Sequence, residues 1–356
     1  MRSSTKQSIN IAIIGAGISG LASGKLLHDQ GVGVTVFEKS RGVGGRMATR
    51  RLNEENSTFD HGAQYFTARD PRFINYVNNW REQGLVARWP AIELGKDQRI
   101  VVLRNGQLQI KPATEDRFVA IPAMNQICKS LSQELTIKKQ VRIKSIIPID
   151  ERYSLIADNG DSLGTFDKVI VSIPAAQASA LLESFPSLSE SLSHIEMKPC
   201  WATMAAFSES LTDEWVGAFM ESSLLSWAAR NNTKPGRNSS PEHLVLHATP
   251  DWSDQNWEAS PEEVTKKMLA DFWKVSGIEP RKPSYCTAHR WRYAIPAESS
   301  KAATYTLDKS KNIICCGDWT LGGRVEAAFL SGLSAAELVL EAISEPINEF
   351  EDNQSL

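Results

Sequence analysis

The sequence predicts an α/β protein: a mostly parallel sheet assembled from both ends of the chain, with a smaller mixed α+β domain carried between its parts. Three observations predict it. The apolar run Ile9-Asn10-Ile11-Ala12-Ile13-Ile14 leads at once into Gly15-Ala16-Gly17-Ile18-Ser19-Gly20 and a helical stretch. A second run, Val34-Thr35-Val36-Phe37, closes on Glu38. Near the other end, Asn312 to Cys316 leads through Gly317-Asp318 into another helix. Strands buried on both faces of a parallel sheet read as such continuous apolar runs. The first two runs and the helix between them make one β-α-β unit of about thirty residues.

The elements follow in order. The first helix runs to about Gln30, with Leu21, Leu26 and Leu27 on its apolar side and Gly31 as its cap. A helix is expected around Arg72 to Gln83, then short strands to residue 117. Met124, Ile127, Cys128, Leu131 and Leu135 share one helical face, predicting a helix over Ala123–Leu135. Strands are expected at Gln140–Ile147, Tyr153–Ala157 and Lys168–Ser172, with Asp158-Asn159-Gly160-Asp161 as a turn. Residues 200–295 alternate apolar and Trp-rich polar stretches, broken by a Pro/Gly/Ser/Asn loop over 231–241 and a helix over Pro261–Trp273. A last helix covers Val325–Ile343. The expected division is a discontinuous nucleotide domain over 9–68, 117–198 and 296–343, a substrate domain over 69–116 and 199–295, and a disordered acidic tail over 344–356.

Composition excludes several classes. Lys and Arg total 39 against 42 Asp and Glu, a net charge of −3 over 356 residues, too balanced for a nucleic-acid or membrane adhesin. No run reaches about 18 uncharged apolar residues, so no membrane span is expected. The run Ile11–Ile14 is too short for a signal-peptide core. None of the five cysteines has metal or redox-motif spacing, so reduced thiols, a cytoplasmic location and no metal are expected.

Gly15, Gly17 and Gly20 form a Gly-x-Gly-x-x-Gly turn between strand and helix, and Glu38 lies eighteen residues beyond its last glycine. Gly15 allows the tight turn, Gly17 a close approach of pyrophosphate, and Gly20 close helix–strand packing. The helix start offers N–H groups to phosphate, and Glu38 should accept from ribose hydroxyls. Arg41-Gly42-Val43-Gly44-Gly45-Arg46 follows directly, so a second glycine loop can lie on the same cofactor with Arg46 near its phosphates. This Gly-Gly-Arg cluster resembles flavin enzymes of the amine-oxidase type. So does the block from Cys316-Gly317-Asp318 to Gly323-Arg324-Val325-Glu326-Ala327-Ala328. Asp318 would bind the ribityl or pyrophosphate portion, and the helix start after Arg324 would face the flavin's carbonyl edge. The expected cofactor is FAD, held without a covalent bond because no cysteine lies in 320–328.

A narrower resemblance covers almost the whole chain. Asp60-His61-Gly62-Ala63-Gln64-Tyr65-Phe66-Thr67-Ala68-Arg69-Asp70, Trp227-Ala228-Ala229-Arg230-Asn231, His247-Ala248-Thr249-Pro250-Asp251-Trp252-Ser253 and Ala288-His289-Arg290-Trp291-Arg292-Tyr293-Ala294 are similar to segments of bacterial-type renalases. The resemblance implies a fold like p-hydroxybenzoate hydroxylase and the amine oxidases, a Rossmann-like FAD domain covered by a substrate domain. Ile18, Ser19, Lys39, Gln64, Val141, Val325, Glu326 and Ala328 complete the residues expected at the cofactor. It also implies oxidation of 2- and 6-dihydro isomers of NAD(P)H, giving NAD(P)+ and, with O2, hydrogen peroxide, as metabolite repair. Such a dihydropyridine needs no strong base, because losing hydride restores aromaticity. It needs only placement at about 3–3.5 Å from the acceptor. Tyr65, Trp227 and Trp291 are the expected walls; Gln64, Arg230, Asn231 and His247 are expected to hold carboxamide, ribose or phosphate. Alternatives are a flavin amine oxidase or desaturase with a deep apolar cleft, and a flavin-binding module without turnover.

Overall fold

The computed structural model describes residues 9–52, 57–90, 99–110, 112, 114–297, 305–307 and 312–344. The tail from 345 lies outside them. The first apolar run forms strand β1 (Asn10–Ile14), and Ile11, Ala12 and Ile13 are fully buried. It is central because both edges are used: β1 pairs in parallel with β2 (Gly33–Glu38) and with Lys168–Val171. Thr136–Lys139 adds beyond β2, and Ile313–Cys315 beyond 168–171, both parallel. Thr306–Leu307 closes the six-stranded sheet antiparallel.

Helix α1 (Ile18–Asp29) crosses this sheet. The C-terminal helix, Val325–Ser344, is long and apolar enough to span a membrane by length and composition. Here it is a core helix laid on α1. A Cβ on Gly332 would stand 2.1 Å from the Ser19 carbonyl oxygen, and Ser23 Oγ donates to the Gly332 carbonyl at 2.7 Å. Only glycine permits that approach.

The strand expected over 140–147 is divided. Gln140 has φ of 58°, a left-handed backbone that ends the 136–139 strand. The chain then enters Ile143–Ile149 of a separate antiparallel sheet with Arg152–Ala157 and Ser162–Phe166. The helix expected over 123–135 is confined to Gln126–Leu131, although all five of its face residues are buried. The helix Pro71–Glu82 is capped by Asp70, whose side chain accepts from Arg72 N. Pro261–Ser276 starts on a Ser260/Glu263 capping box and stops at Gly277, φ 71°.

The second large sheet has seven strands, ordered 285–296, 197–207, 242–248, 225–230, 217–220, 100–104 and 107–110. All its pairings are antiparallel except 217–220 with 100–104. One face packs on the 261–276 helix through Val264, Met268 and Phe272. The other side supplies one wall of a cleft against the parallel sheet.

Candidate active site

The cleft has a volume of about 460 Å³. One side is backbone. Gly17, Ile18, Ser19, Gly44, Arg46, Gly317, Asp318, Arg324, Val325 and Ala328 line it. Gly17 precedes the helix without a side-chain cap, and a Cβ placed there would meet nothing within 4 Å. Gly44 and Gly45 have φ of 120° and 52°, and a Cβ on Gly45 would lie 3.5 Å from the Gly17 Cα. Two glycine turns therefore lie within van der Waals reach of one another, with open space beside Gly17. At Gly20 the reverse holds: a Cβ would stand 2.2 Å from the Gly15 carbonyl oxygen and 2.3 Å from Ser172 Oγ. These are the separate duties expected of the three glycines.

Glu38 is buried, its oxygens accepting from Ala16 N at 2.9 Å and Ser40 N at 2.7 Å. Each oxygen keeps lone pairs for a ribose hydroxyl. Lys39 and Val141 stand beside Glu38, outside the cleft lining. Lys39 Nζ donates to Gln177 at 3.0 Å, and Val141 N to the Glu38 carbonyl at 3.0 Å. Arg46 makes a two-pronged pair with Asp318 at 2.5 and 2.8 Å, joining the two ends of the chain. Glu326 points away from the cleft, with Oε1 accepting from Arg69 N at 2.6 Å and Asp70 N at 2.8 Å. The glycine turns, the open Gly17 and the buried Glu38 behind the lining fit a dinucleotide, and Arg324, Val325 and Ala328 continue the same surface. The cysteines nearest it stay thiols. Cys316 is pushed up to about 11 by burial, against weaker opposing hydrogen bonds from Ser19 and Ser23, and Cys200 to about 12, again by burial.

The other side is side chain. Gln64, Tyr65, Phe219, Trp227, His247 and Trp291 line it. Trp227 meets Phe219 and Tyr65 with ring centroids 4.9 and 5.5 Å apart. Trp291 stacks on His61 at 5.1 Å. The loop carrying Gln64 is pressed on the cofactor turn: a Cβ on Gly62 would meet the Arg46 carbonyl oxygen at 1.9 Å, and Ala63 N donates to that oxygen at 2.9 Å. Burial lowers both His61 and His247 to about 4, with His289 adding to the shift of His61. Both rings are neutral at physiological pH.

Two residues expected in the pocket are elsewhere. Arg230 is buried in an ion pair with Glu242, at 2.7 and 2.8 Å, and its Nη1 donates to the Trp215 carbonyl. Asn231 is an internal strut, accepting from Asp60 N at 3.3 Å and donating to the Thr58 carbonyl at 2.8 Å. The residues that hold the wall came from a segment read as a plain loop. Lys234 and Arg237, with side chains wholly buried, both bond Asp60 Oδ2, at 3.3 and 2.6 Å. Burial works against the Asp60 carboxylate, but the two cations hold it well below the usual range. Burial likewise lowers Lys234 to about 8, against the opposing pull of Asp60. Charged residues flanking Pro235-Gly236 were the available signal. A cluster of His28, Asp29 and Glu134 is spaced for a metal, but it is largely exposed and Lys25 pairs with both carboxylates.

A nucleotide turn, a discontinuous flavin surface and an aromatic wall define a flavoprotein oxidoreductase. Residues 13–80 match the NAD(P)-binding Rossmann-like domain, and residues 83–340 match the flavin containing amine oxidoreductase model. The chain belongs to this flavin-containing amine oxidoreductase family, with FAD as its cofactor. Among particular relatives, 59 residues are 48% identical to an L-glutamate oxidase precursor of Streptomyces diastatochromogenes, covering 16% of this chain and 9% of that protein. A 54-residue stretch is 48% identical to a 4,4'-diapophytoene desaturase of Staphylococcus aureus, covering 15% of this chain and 10% of that protein. The matches thus span only about a tenth of these curated relatives. Among solved structures, cyclohexylamine oxidase from Brevibacterium oxydans IH-35A has a TM-score of 0.73 at 15% identity, over 95% of this chain and 100% of that one. A protoporphyrinogen oxidase structure from Exiguobacterium sp. 255-15 also gives 0.73 at 15%, over 94% and 99%. At that identity the likeness is one of fold.

Proposed function

We propose that this chain oxidises 2- and 6-dihydro isomers of NAD(P)H to NAD(P)+, passing the electrons to O2 and yielding hydrogen peroxide, as a cytoplasmic repair activity of the renalase type. One observation carries the reading. The charged side chains lining the cleft, Arg46, Asp318 and Arg324, all belong to the flavin motifs. Among the described residues the opposite wall offers aromatic rings and a neutral imidazole, with no carboxylate or amine. Such a wall has no base strong enough to deprotonate a substrate, and a dihydropyridine requires none. Bound FAD supplies the ring that accepts the hydride. Tyr65, Trp227 and Trp291 confine a flat ring and keep water out, and His247 accepts a hydrogen bond from its substituent.

A second reading, oxidation of an amine, draws on the same aromatic walls and on the family itself. The two part in one experiment. Flavin-loaded protein is mixed without oxygen with each dihydro-NAD(P) isomer, with ordinary NADPH and with a panel of amines, and the visible flavin band is followed. Bleaching by the isomers alone, with peroxide formed on admitting air, supports the proposal. Bleaching by an amine instead transfers the protein to the second reading. No bleaching by any of them overturns both readings and leaves flavin binding as it stands.

A further inference from the structure

Counting hydrogen bonds on the polar part of the wall gives a result that its composition hides. Gln64, His247 and Trp291 bring four N–H groups to the cleft, and all four are already used. Gln64 Nε2 donates to the carbonyls of Asp60 and Gly62. Trp291 Nε1 donates to the His61 carbonyl at 2.9 Å. His247 Nε2 lies 3.1 Å from that same oxygen, which can only accept. The neutral ring therefore carries its proton on Nε2. Its 3.5 Å approach to Gln64 Nε2 then sets donor against donor and is no hydrogen bond.

Three successive carbonyls, of residues 60, 61 and 62, thus absorb every donor. His247 Nδ1 is left as a lone pair without a protein partner among the described residues. The arrangement depends on which way the Gln64 amide faces. The carbonyls of Asp60 and Gly62, which can only accept, hold its Nε2, and Lys234, which can only donate, stands 3.3 Å from its Oε1. Lys234 is itself anchored on Asp60 Oδ2 and faces the Trp89 ring at 5.5 Å. Elsewhere on this wall, Ser226 Oγ donates to the carbonyls of His247 and Ala248, and Cys200 Sγ to those of Trp201 and Ala248. Trp227 Nε1 is buried without a hydrogen-bond partner among the described residues, and Tyr65 adds a hydroxyl to the aromatic part of the wall.

We infer that the side chains of Gln64, His247 and Trp291 accept hydrogen bonds from a ligand and donate none, and that the His247 Nδ1 lone pair is the acceptor the ligand meets. The wall selects a ligand that presents N–H, as a carboxamide or an ammonium, and rejects one that presents a carboxylate. A carboxylate set against His247 Nδ1 would face a lone pair and gain no hydrogen bond from Gln64, His247 or Trp291. The identity of the ring as a pyridine rests on the function proposed above; the donor requirement does not.

The test uses oxidised, flavin-loaded protein near neutral pH and reads perturbation of the visible flavin band, so no turnover is needed. The probes are nicotinamide, nicotinate, benzylamine and benzoate. The expected result is that nicotinamide binds at least about tenfold more tightly than nicotinate. In His247→Phe the ring lone pair is gone, and the preference falls to about threefold or less. A His247 that only packs would lower both affinities together and leave the ratio unchanged, which overturns its assigned role. A wild-type ratio below tenfold overturns the donor rule whether or not the variant folds. If neither pyridine binds but benzylamine does and benzoate does not, the donor rule stands and the dihydronicotinamide reading fails. Binding by none of the four overturns the inference.

Discussion

The two sides of the cleft are built by opposite means. The flavin side is backbone, with Gly17 facing empty space at the start of α1. The substrate side is side chain, with the N–H groups of Gln64, His247 and Trp291 already taken from within and Trp227 packed edge to face on Phe219. A site that must hold one invariant cofactor can be written in local turns. A site that must select is written in which donors and acceptors are left over.

The largest test of that contrast lies at Gly20. Gly20→Val puts carbon where the Gly15 carbonyl and Ser172 already stand. Flavin retained per protein after purification should fall by at least about tenfold, since the phosphate turn cannot keep its shape. Normal retention would show that the turn is not the anchor.

Arg230→Ala separates packing from recognition on the other side. It leaves Glu242 buried without its partner, and unfolding in urea should show a loss of about 3–5 kcal/mol. The rate of flavin reduction in the folded, loaded fraction should not change. A slowed reduction at unchanged stability would return Arg230 to the pocket.

His243 is one of the unsatisfied buried groups on that side. It is buried against Phe59, and neither ring nitrogen has a partner among the described residues. Burial lowers it from 6.5 to about 4, as it does His61 and His247. In that window the unfolded chain binds protons that the folded chain refuses, so stability is lost as pH falls from about 6.5 to about 4 and levels below. Melting temperature should drop over that range, and His243→Phe should raise it and flatten its slope. An unchanged slope would mean that His243 carries a proton in the fold.

The smallest effect is a control on the outer face of α1. Lys25 pairs with Asp29 and Glu134 at the surface, and Lys25→Ala should cost less than about 1 kcal/mol. A larger loss would show that the 28/29/134 cluster needs its cation.

The flavin side was legible because each of its motifs is contiguous. Gly15 to Gly20, Gly44 to Arg46 and Gly317 to Ala328 carry their own geometry, wherever the rest of the chain goes. The opposite wall depends on register. In the 225–230 strand Trp227 sits beside His247, while Arg230, three places on, sits beside Leu244 and faces the other way. Alternation along a strand separates residues three apart, so parity alone could have parted Trp227 from Arg230. The same rule keeps His243 and His247 on one face. Lys234 and Arg237 were beyond it. They lie in a loop, and Asp60, the group that draws them inward, is more than 170 residues away in sequence.

Ser19 reaches Cys316 across 297 residues, and the surface expected to hold FAD draws on both neighbourhoods. On a ribosome, that gap takes about 15–60 s at 5–20 residues per second. The nascent chain can fold its first strand–helix–strand unit early, but its place for the flavin does not exist until the last helix has emerged. Loading is thus a closing act of biosynthesis, and a chain cut short before residue 318 leaves the ribosome with glycine turns and nothing to complete them.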